Sequence, residues 1–238
     1  MLDRDVCLRF FLDGVWPQIC PLCDRPLDRA HGVVSRSIHT LLHESCLARL
    51  PRQDLASAQP RPRCEGVPVR AWLRDHPAFF DLLHAAKYGG RPSLLLPLAE
   101  GLAARAAEAD WIPPDACLVP VPDDPWRLAE RGFSPATILA REIAARLGCG
   151  LRVDLLRRRR TAEPLARIRG ASARRQHQRE LWGIGRLPEV PGERSLILVD
   201  DQITTGSTVE SLAGLLGLRG NPLLVLCLAA AAGAPEQV

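Results

Sequence analysis

Leu196-Ile197-Leu198-Val199-Asp200-Asp201-Gln202-Ile203-Thr204-Thr205-Gly206-Ser207-Thr208 is the stretch whose reading decides the fold. Its four leading apolar, partly β-branched residues predict a buried strand over Leu196–Val199, because a run that is apolar at every position leaves no face for water. Two adjacent carboxylates, Asp200 and Asp201, follow, and a Thr-Thr-Gly-Ser-Thr turn opens a helix predicted over Thr208–Leu218. Ser207 with Glu210 three residues on has the capping-box spacing, which places the helix start at the turn. Free backbone N–H groups and the positive end of the helix dipole gather there, so the turn is suited to an anion such as a phosphate.

Working outward, strand and helix signals alternate. Val67–Leu73, Ala116–Val121, Leu151–Leu155 and Leu223–Leu228 read as further strands, the second ended by its prolines. Pro77 opens a helix that Gly89 and Gly90 stop, with Lys87 and Tyr88 in its last turn. Pro92–Ala109 reads as a long apolar helix, and Ser134–Leu147 as another, with Ser134 as N-cap, Pro135 at the first helical position and Gly148 as the stop. Arg157 to about Gly192 shows no sustained period and is expected to be a long mobile loop. The alternation predicts an α/β fold, a parallel sheet with helices on both faces, whose ligand binds beyond the carboxyl ends of the strands.

The chain has 238 residues and no apolar run long enough for a membrane span, so no membrane insertion is expected. Its start, Met1-Leu2-Asp3-Arg4-Asp5, lacks a basic segment leading into an apolar one, which points to a cytoplasmic protein. The net charge of +4 is modest, yet Arg152–Arg179 holds ten arginines against Asp154 and Glu163. Lys87 is the only lysine and stands beside the only tyrosine, Tyr88. In a chain that otherwise uses arginine, a solitary lysine marks a position where a compact ammonium is wanted.

Residues 1–65 are set apart as a small N-terminal module and linker, ending in a Pro-, Arg-, Ser- and Gln-rich stretch from Gln53 to Pro68; residues 66–238 form the α/β domain. Cys20-Pro-Leu-Cys23 and His43-Glu-Ser-Cys46 give the pattern C-x2-C-x19-H-x2-C, the spacing of a treble-clef-like or ribbon-like zinc module. The first pair is expected on a turn and the second in a short helix, Glu44–Arg49. His39 is a substitute ligand and Cys64 a further candidate; the alternative is reduced cysteines packed as small hydrophobes.

The Leu196–Thr208 stretch resembles the phosphoribosyl pyrophosphate (PRPP) motif of type I phosphoribosyltransferases. With the Cys-x-x-Cys module, Lys87-Tyr88-x-Gly90, Val119-Pro120-Val121-Pro122 and Arg127-x-x-x-Arg131-Gly132-Phe133 in that order, the chain resembles the ComF family, phosphoribosyltransferase-like proteins associated with DNA uptake in competent bacteria. The resemblance implies a type I phosphoribosyltransferase-like sheet with the small zinc module in front. It implies that Asp200 and Asp201 contact the ribose and help place Mg²⁺, that Thr204, Thr205, Gly206, Ser207 and Thr208 wrap the 5′-phosphate, and that Arg127 and Arg131 face the pyrophosphate. Lys87 and Tyr88 join the candidate ligand contacts.

Three departures from the family stand out: Ser134-Pro135 follow Arg-Gly-Phe where the family has Asn-Gln, and the other two are in the segment expected to cover the substrate, which keeps Thr161, and in the cysteine module. Pro164 stands where the family has Gln, and Arg175-Gln-His-Gln178 with Trp182 replaces its Arg-x-x-Asn and Phe; the second zinc-side cysteine pair is reduced to Cys64. For single-stranded DNA, Arg157, Arg158, Arg159, Arg160, Arg174 and Arg175 supply charge for the backbone and Trp182 a ring for a base. Two other functions use the same motif: a metabolic phosphoribosyltransferase acting on a nucleobase or amine, and a PRPP-sensing regulator without turnover.

Overall fold

The structure, a computed structural model, describes residues 19–27, 42–47, 67–74, 77–109, 112–159, 181–185, 195–217 and 223–230. In chain order these form α1 (Glu44–Leu47), β1 (Val69–Arg74), α2 (Pro77–Lys87), a 3₁₀ turn (Pro92–Leu94), α3 (Leu95–Glu108), β2 (Cys117–Pro120), α4 (Pro125–Arg131), α5 (Pro135–Leu147), β3 (Gly150–Leu151), β4 (Leu156–Arg158), β5 (Trp182–Ile184), β6 (Leu196–Ile203), α6 (Ser207–Gly217) and β7 (Leu223–Ala230). Five strands make one sheet in the order β1-β7-β6-β2-β3, every neighbour parallel. A second, two-stranded antiparallel sheet joins β4 to β5.

Each face of the large sheet has its own core. On one side α2, α3 and α5 pack through Phe79, Leu82, Leu98, Leu102, Leu139 and Ile143 against Leu118, Ile197, Val199 and Leu226 of the strands. On the other, Val209, Leu212 and Leu216 of α6 and Leu155, Leu156, Leu181 and Trp182 of the hairpin meet Cys117, Val119, Leu196, Leu198 and Val225. Both faces are covered, which is why the central strands are apolar at successive positions instead of alternating. Among the described residues, no helix is long and apolar enough to cross a membrane.

The helix punctuation behaves as the sequence suggests. The Ser134 hydroxyl accepts from Thr137 N–H at 3.3 Å, Pro135 opens α5, and Gly148 ends it at φ 66°. Four segments differ from expectation. β6 runs four residues beyond Val199, so the acidic pair lies within the strand, Asp200 opposite Cys227 and Gln202 opposite Ala229. Pro92–Ala109 is divided into a 3₁₀ turn and α3. The strand expected at Leu151–Leu155 is only Gly150–Leu151, and the chain turns before a separate strand begins at Leu156. The segment expected as a loop from Arg157 contains β4 and β5, with Leu156 opposite Ile184 and Arg158 opposite Trp182. Pairing between strands that stand more than twenty residues apart leaves no local periodicity for a sequence reading to detect. Thr161, Pro164, Arg160, Arg174 and Arg175 lie outside the described residues, as do His39, Cys64 and most of residues 1–65.

Close packing at one glycine is testable. α3 crosses the buried indole of Trp72 at Gly101, where a Cβ would fall within the van der Waals surface of ring carbons Cη2, Cζ2 and Cζ3. Alanine's better helix propensity favours Gly101→Ala by up to about 1 kcal/mol. Overpacking a dense core costs about 1–3 kcal/mol and outweighs it here, because a buried indole has nowhere to move. Urea unfolding followed by tryptophan fluorescence should show a lower midpoint for Gly101→Ala.

Candidate ligand cavity and metal centre

β2 and β6 are neighbours, but their connections leave in opposite directions: β2 leads through α4 and α5 to β3 at one edge, and β6 leads through α6 to β7 on the other side. That reversal opens a crevice at the carboxyl ends of the two strands. A cavity of about 240 Å³ lies there, lined by Pro122, Asp123 and Asp124 after β2, by Asp200, Asp201 and Gln202 of β6, and by Thr208 at the start of α6. Lys87 from the end of α2, Arg127 and Arg131 of α4, and Arg158 and Trp182 of the hairpin complete it.

Oppositely charged groups in the cavity are paired with one another. Lys87 Nζ is in ion-pair contact with Asp201 Oδ2. Arg131 Nη2 meets Asp123 Oδ1 at 2.5 Å, and Arg131 Nε donates to the Arg127 carbonyl at 3.2 Å. Arg131 also lies over the Tyr88 ring, 5.7 Å from its centroid. Arg158 Nη2 meets Asp124 Oδ2 at 3.1 Å and lies 5.5 Å from the centroid of Trp182. Asp124 does two things at once, since its Oδ1 accepts from Trp126 N–H at 3.0 Å and caps α4. Arg127 is exposed and has no ion-pair partner among the described residues.

Asp200 is in a different situation. Burial, and then the adjacent Asp201 carboxylate, push its carboxyl well above the usual range. Its Oδ1 accepts from Asp201 N–H at 2.9 Å. Two neighbouring carboxylates, one driven toward its protonated form by the other, are a set of hard oxygens suited to a divalent cation such as Mg²⁺. A ligand carrying both anionic groups and such a cation could exchange partners with the ion pairs, its anionic groups taking the basic side chains and the cation taking carboxylate oxygens.

The turn after β6 is shaped by Gly206 at φ 76°, a conformation that costs a residue with a Cβ about 1 kcal/mol or more. Glu210 N–H donates to the Gly206 carbonyl at 2.9 Å, and the Thr205 and Ser207 hydroxyls lie 3.0 Å apart. Thr208 reaches the cavity wall; Thr204 and Thr205 are exposed beyond it.

The structure therefore brings Lys87, Arg127, Arg131, Asp200, Asp201 and Thr208 together. Tyr88 stands behind Arg131 instead of in the wall. The arginine run is divided by strand alternation: Arg158 turns into the cavity, and Arg157 and Arg159 are exposed, both close to Gly183. Trp182 is only 6% exposed, so it supports Arg158 and offers no open ring for a base. Sequence reasoning missed Asp123, Asp124 and Gln202. The signal for the first two was present, since an acidic pair following an apolar strand is the same pattern as Asp200-Asp201.

The second candidate site is the metal centre. Cys20 and Cys23 flank a tight turn closed by a bridge between Ile19 and Pro26, and Cys46 lies in α1. The ligand atoms of Cys20, Cys23, His43 and Cys46 all lie within 4.8 Å of one another. A zinc tetrahedron with Zn–S bonds of about 2.3 Å has edges of about 3.8 Å, so the four fit with a small contraction. His43 Nε2–H donates to the Pro26 carbonyl at 3.0 Å, leaving Nδ1 toward the thiols, 3.3 Å from Cys23 Sγ. Such an outer hydrogen bond fixes the tautomer that a metal requires. The Arg25 backbone N–H and then its side chain lower the Cys23 thiol to about 6, whereas burial pushes Cys46 up to about 11.

The fold and its two sites define a class: an α/β protein with a parallel five-stranded sheet flanked by helices, a charged cavity at the strand reversal and a Cys₃His cluster able to hold a metal such as zinc. The chain is 30% identical over 223 residues to the DNA utilization protein YhgH of Salmonella typhimurium strain LT2, covering 84% of this chain and 91% of that protein. It is 29% identical over 219 residues to the DNA utilization protein YhgH of Salmonella typhi, with the same coverage. The chain belongs to the family of the DNA utilization protein YhgH, a ComF-like family. No family model matches it. The crystal structure of TT1426 from Thermus thermophilus aligns at 17% identity and a TM-score of 0.33, over 59% of this chain and 83% of that one, a score too low to bear on the fold.

Metal binding should follow the Cys23 thiolate. A thiol lowered from 9.0 to about 6 stabilises the folded state fully above pH 9, and that stabilisation is lost as pH falls through about 6. Protons compete with the metal for the same sulfur over the same range. Purified protein should carry one zinc per chain, and its release to a chromogenic chelator should accelerate as pH is lowered through 6. Cys23→Ser should release zinc readily even at pH 7.

Proposed function

We propose that this chain is a PRPP-binding, phosphoribosyltransferase-like protein that acts in DNA uptake in the cytoplasm and contacts single-stranded DNA. The observation that carries the reading is the cavity itself: the acidic pair of β6, the start of α6 and four basic side chains surround one crevice at the strand reversal. Asp200 and Asp201 would hold the ribose, the turn Thr204–Thr208 the 5′-phosphate, and Lys87, Arg127 and Arg131 the pyrophosphate, with Tyr88 supporting Arg131. Mg²⁺ bound with PRPP would supply charge neutralisation at the pyrophosphate. Residues 1–65 would form the zinc module and linker, and residues 66–238 the phosphoribosyltransferase-like domain.

The names of the Salmonella relatives support a role in handling DNA. For the DNA contact itself, the outward pair Arg157 and Arg159 is the favoured part of the arginine segment, since Arg158 and Trp182 are engaged in the cavity. Arg160, Arg174 and Arg175 would extend the same basic strip.

Calorimetry with Mg²⁺ and PRPP should give one site per chain, and the Asp200→Asn/Asp201→Asn double variant should bind at least tenfold more weakly. Equal affinities would overturn the PRPP reading. For DNA, binding of a labelled oligothymidylate should weaken steeply with salt, and Arg157→Gln/Arg159→Gln should reduce the slope of log K against log salt by about 1.4, two contacts at about 0.7 each. An unchanged slope removes these two arginines from the contact.

A further inference from the structure

The cavity contains a polar donor that the family motif leaves without a role. Gln202 follows the acidic pair on β6, opposite Ala229 of β7, and lines the cavity. Its Nε2 is shut off from solvent and meets no acceptor among the described residues. Buried amide donors are rarely left in this condition, because nothing replaces the water they have lost. Asp123, on the wall contributed after β2, shows the complementary defect: Oδ1 is held by Arg131, and Oδ2 is buried and unpartnered among the described residues. One wall of the cavity thus lacks an acceptor and another lacks a donor.

We propose that Gln202 is a specificity residue whose amide donates to a sugar hydroxyl of the cavity ligand, the same hydroxyl group or its neighbour donating to Asp123 Oδ2. A phosphate oxygen fits poorly at this point. It could accept from Gln202, but it has no proton to give Asp123, and the Asp123 carboxylate would repel its charge. A hydroxyl both accepts and donates, carries no charge and so satisfies both walls. The inference rests on the PRPP reading and deepens it: the pyrophosphate is read by the basic side chains, and the sugar held by Asp200 and Asp201 is read in addition by Gln202 and Asp123.

The test compares a ligand with the sugar to one without it. In calorimetry with Mg²⁺, Gln202→Met should weaken PRPP binding about 5- to 10-fold while inorganic pyrophosphate binds within twofold of wild type. Ligand-free Gln202→Met should melt at the wild-type temperature or about 2–4 °C above it, because an unbranched apolar chain of similar shape replaces an unsatisfied amide. Unchanged PRPP affinity, an equal loss for pyrophosphate, or a lower melting temperature would each overturn the assignment. If the wild type binds no PRPP at all, the cavity reading falls first and this inference falls with it, an outcome distinct from the other three.

Discussion

Parallel pairing of β2 with β6, Cys117 opposite Leu196 and Pro120 opposite Val199, is the constraint on which the rest of the molecule depends. Parallel strands end on the same side of a sheet, so this register delivers Asp123-Asp124 and Asp200-Asp201 to one rim although they are nearly eighty residues apart in the chain. Because the connections from β2 and β6 diverge, α5 and α6 lie on opposite faces and the rim between them is left open. The core and the cavity are thus two results of the same topology.

Four carboxylates on one rim would repel one another, and the structure answers with cations from three separate elements. Lys87 arrives from α2, Arg131 from α4 and Arg158 from the hairpin, each on its own acid. These pairs are partly buried, so their attraction is opposed by desolvation, and their net stabilisation is modest. Their consequence for binding is larger. Lys87, Arg131 and Arg158 are each engaged with an acid, so an anion that takes any of these three must displace a carboxylate. Asp200, with no basic side chain in ion-pair contact among the described residues, is the carboxyl most altered by its surroundings.

The Cys₃His cluster is packed onto the sheet domain's helices. Cys20, Leu42 and Cys46 belong to the same buried cluster as Phe79, Leu82 and Ala86 of α2, and Arg91 Nη2 donates to the Ile19 carbonyl at 2.5 Å. Arg91 follows the Gly89-Gly90 stop of α2, the helix whose last residue is Lys87. The end of α2 is therefore tied to the Cys20 turn through Arg91 and reaches the cavity through Lys87.

Local chemistry is what a sequence carries most clearly, and by itself it determined the α/β alternation, the caps of α5, the turn at Gly206 and the Cys₃His cluster that could hold a metal. The solitary lysine also led to the cavity, where it contacts Asp201. Only tertiary structure decided the remainder. The length of β6 depends on β7 for its partners at Asp200, Gln202 and Ile203, and the hairpin from Arg157 onward exists because Trp182 returns to pair with Arg158. Whether an arginine in that run faces ligand or solvent, and whether Trp182 is a platform or a buried support, follows from a pairing between distant strands. Hydrogen bonds between distant segments leave no period along the chain, so the residues they orient become legible only when the strands are brought together.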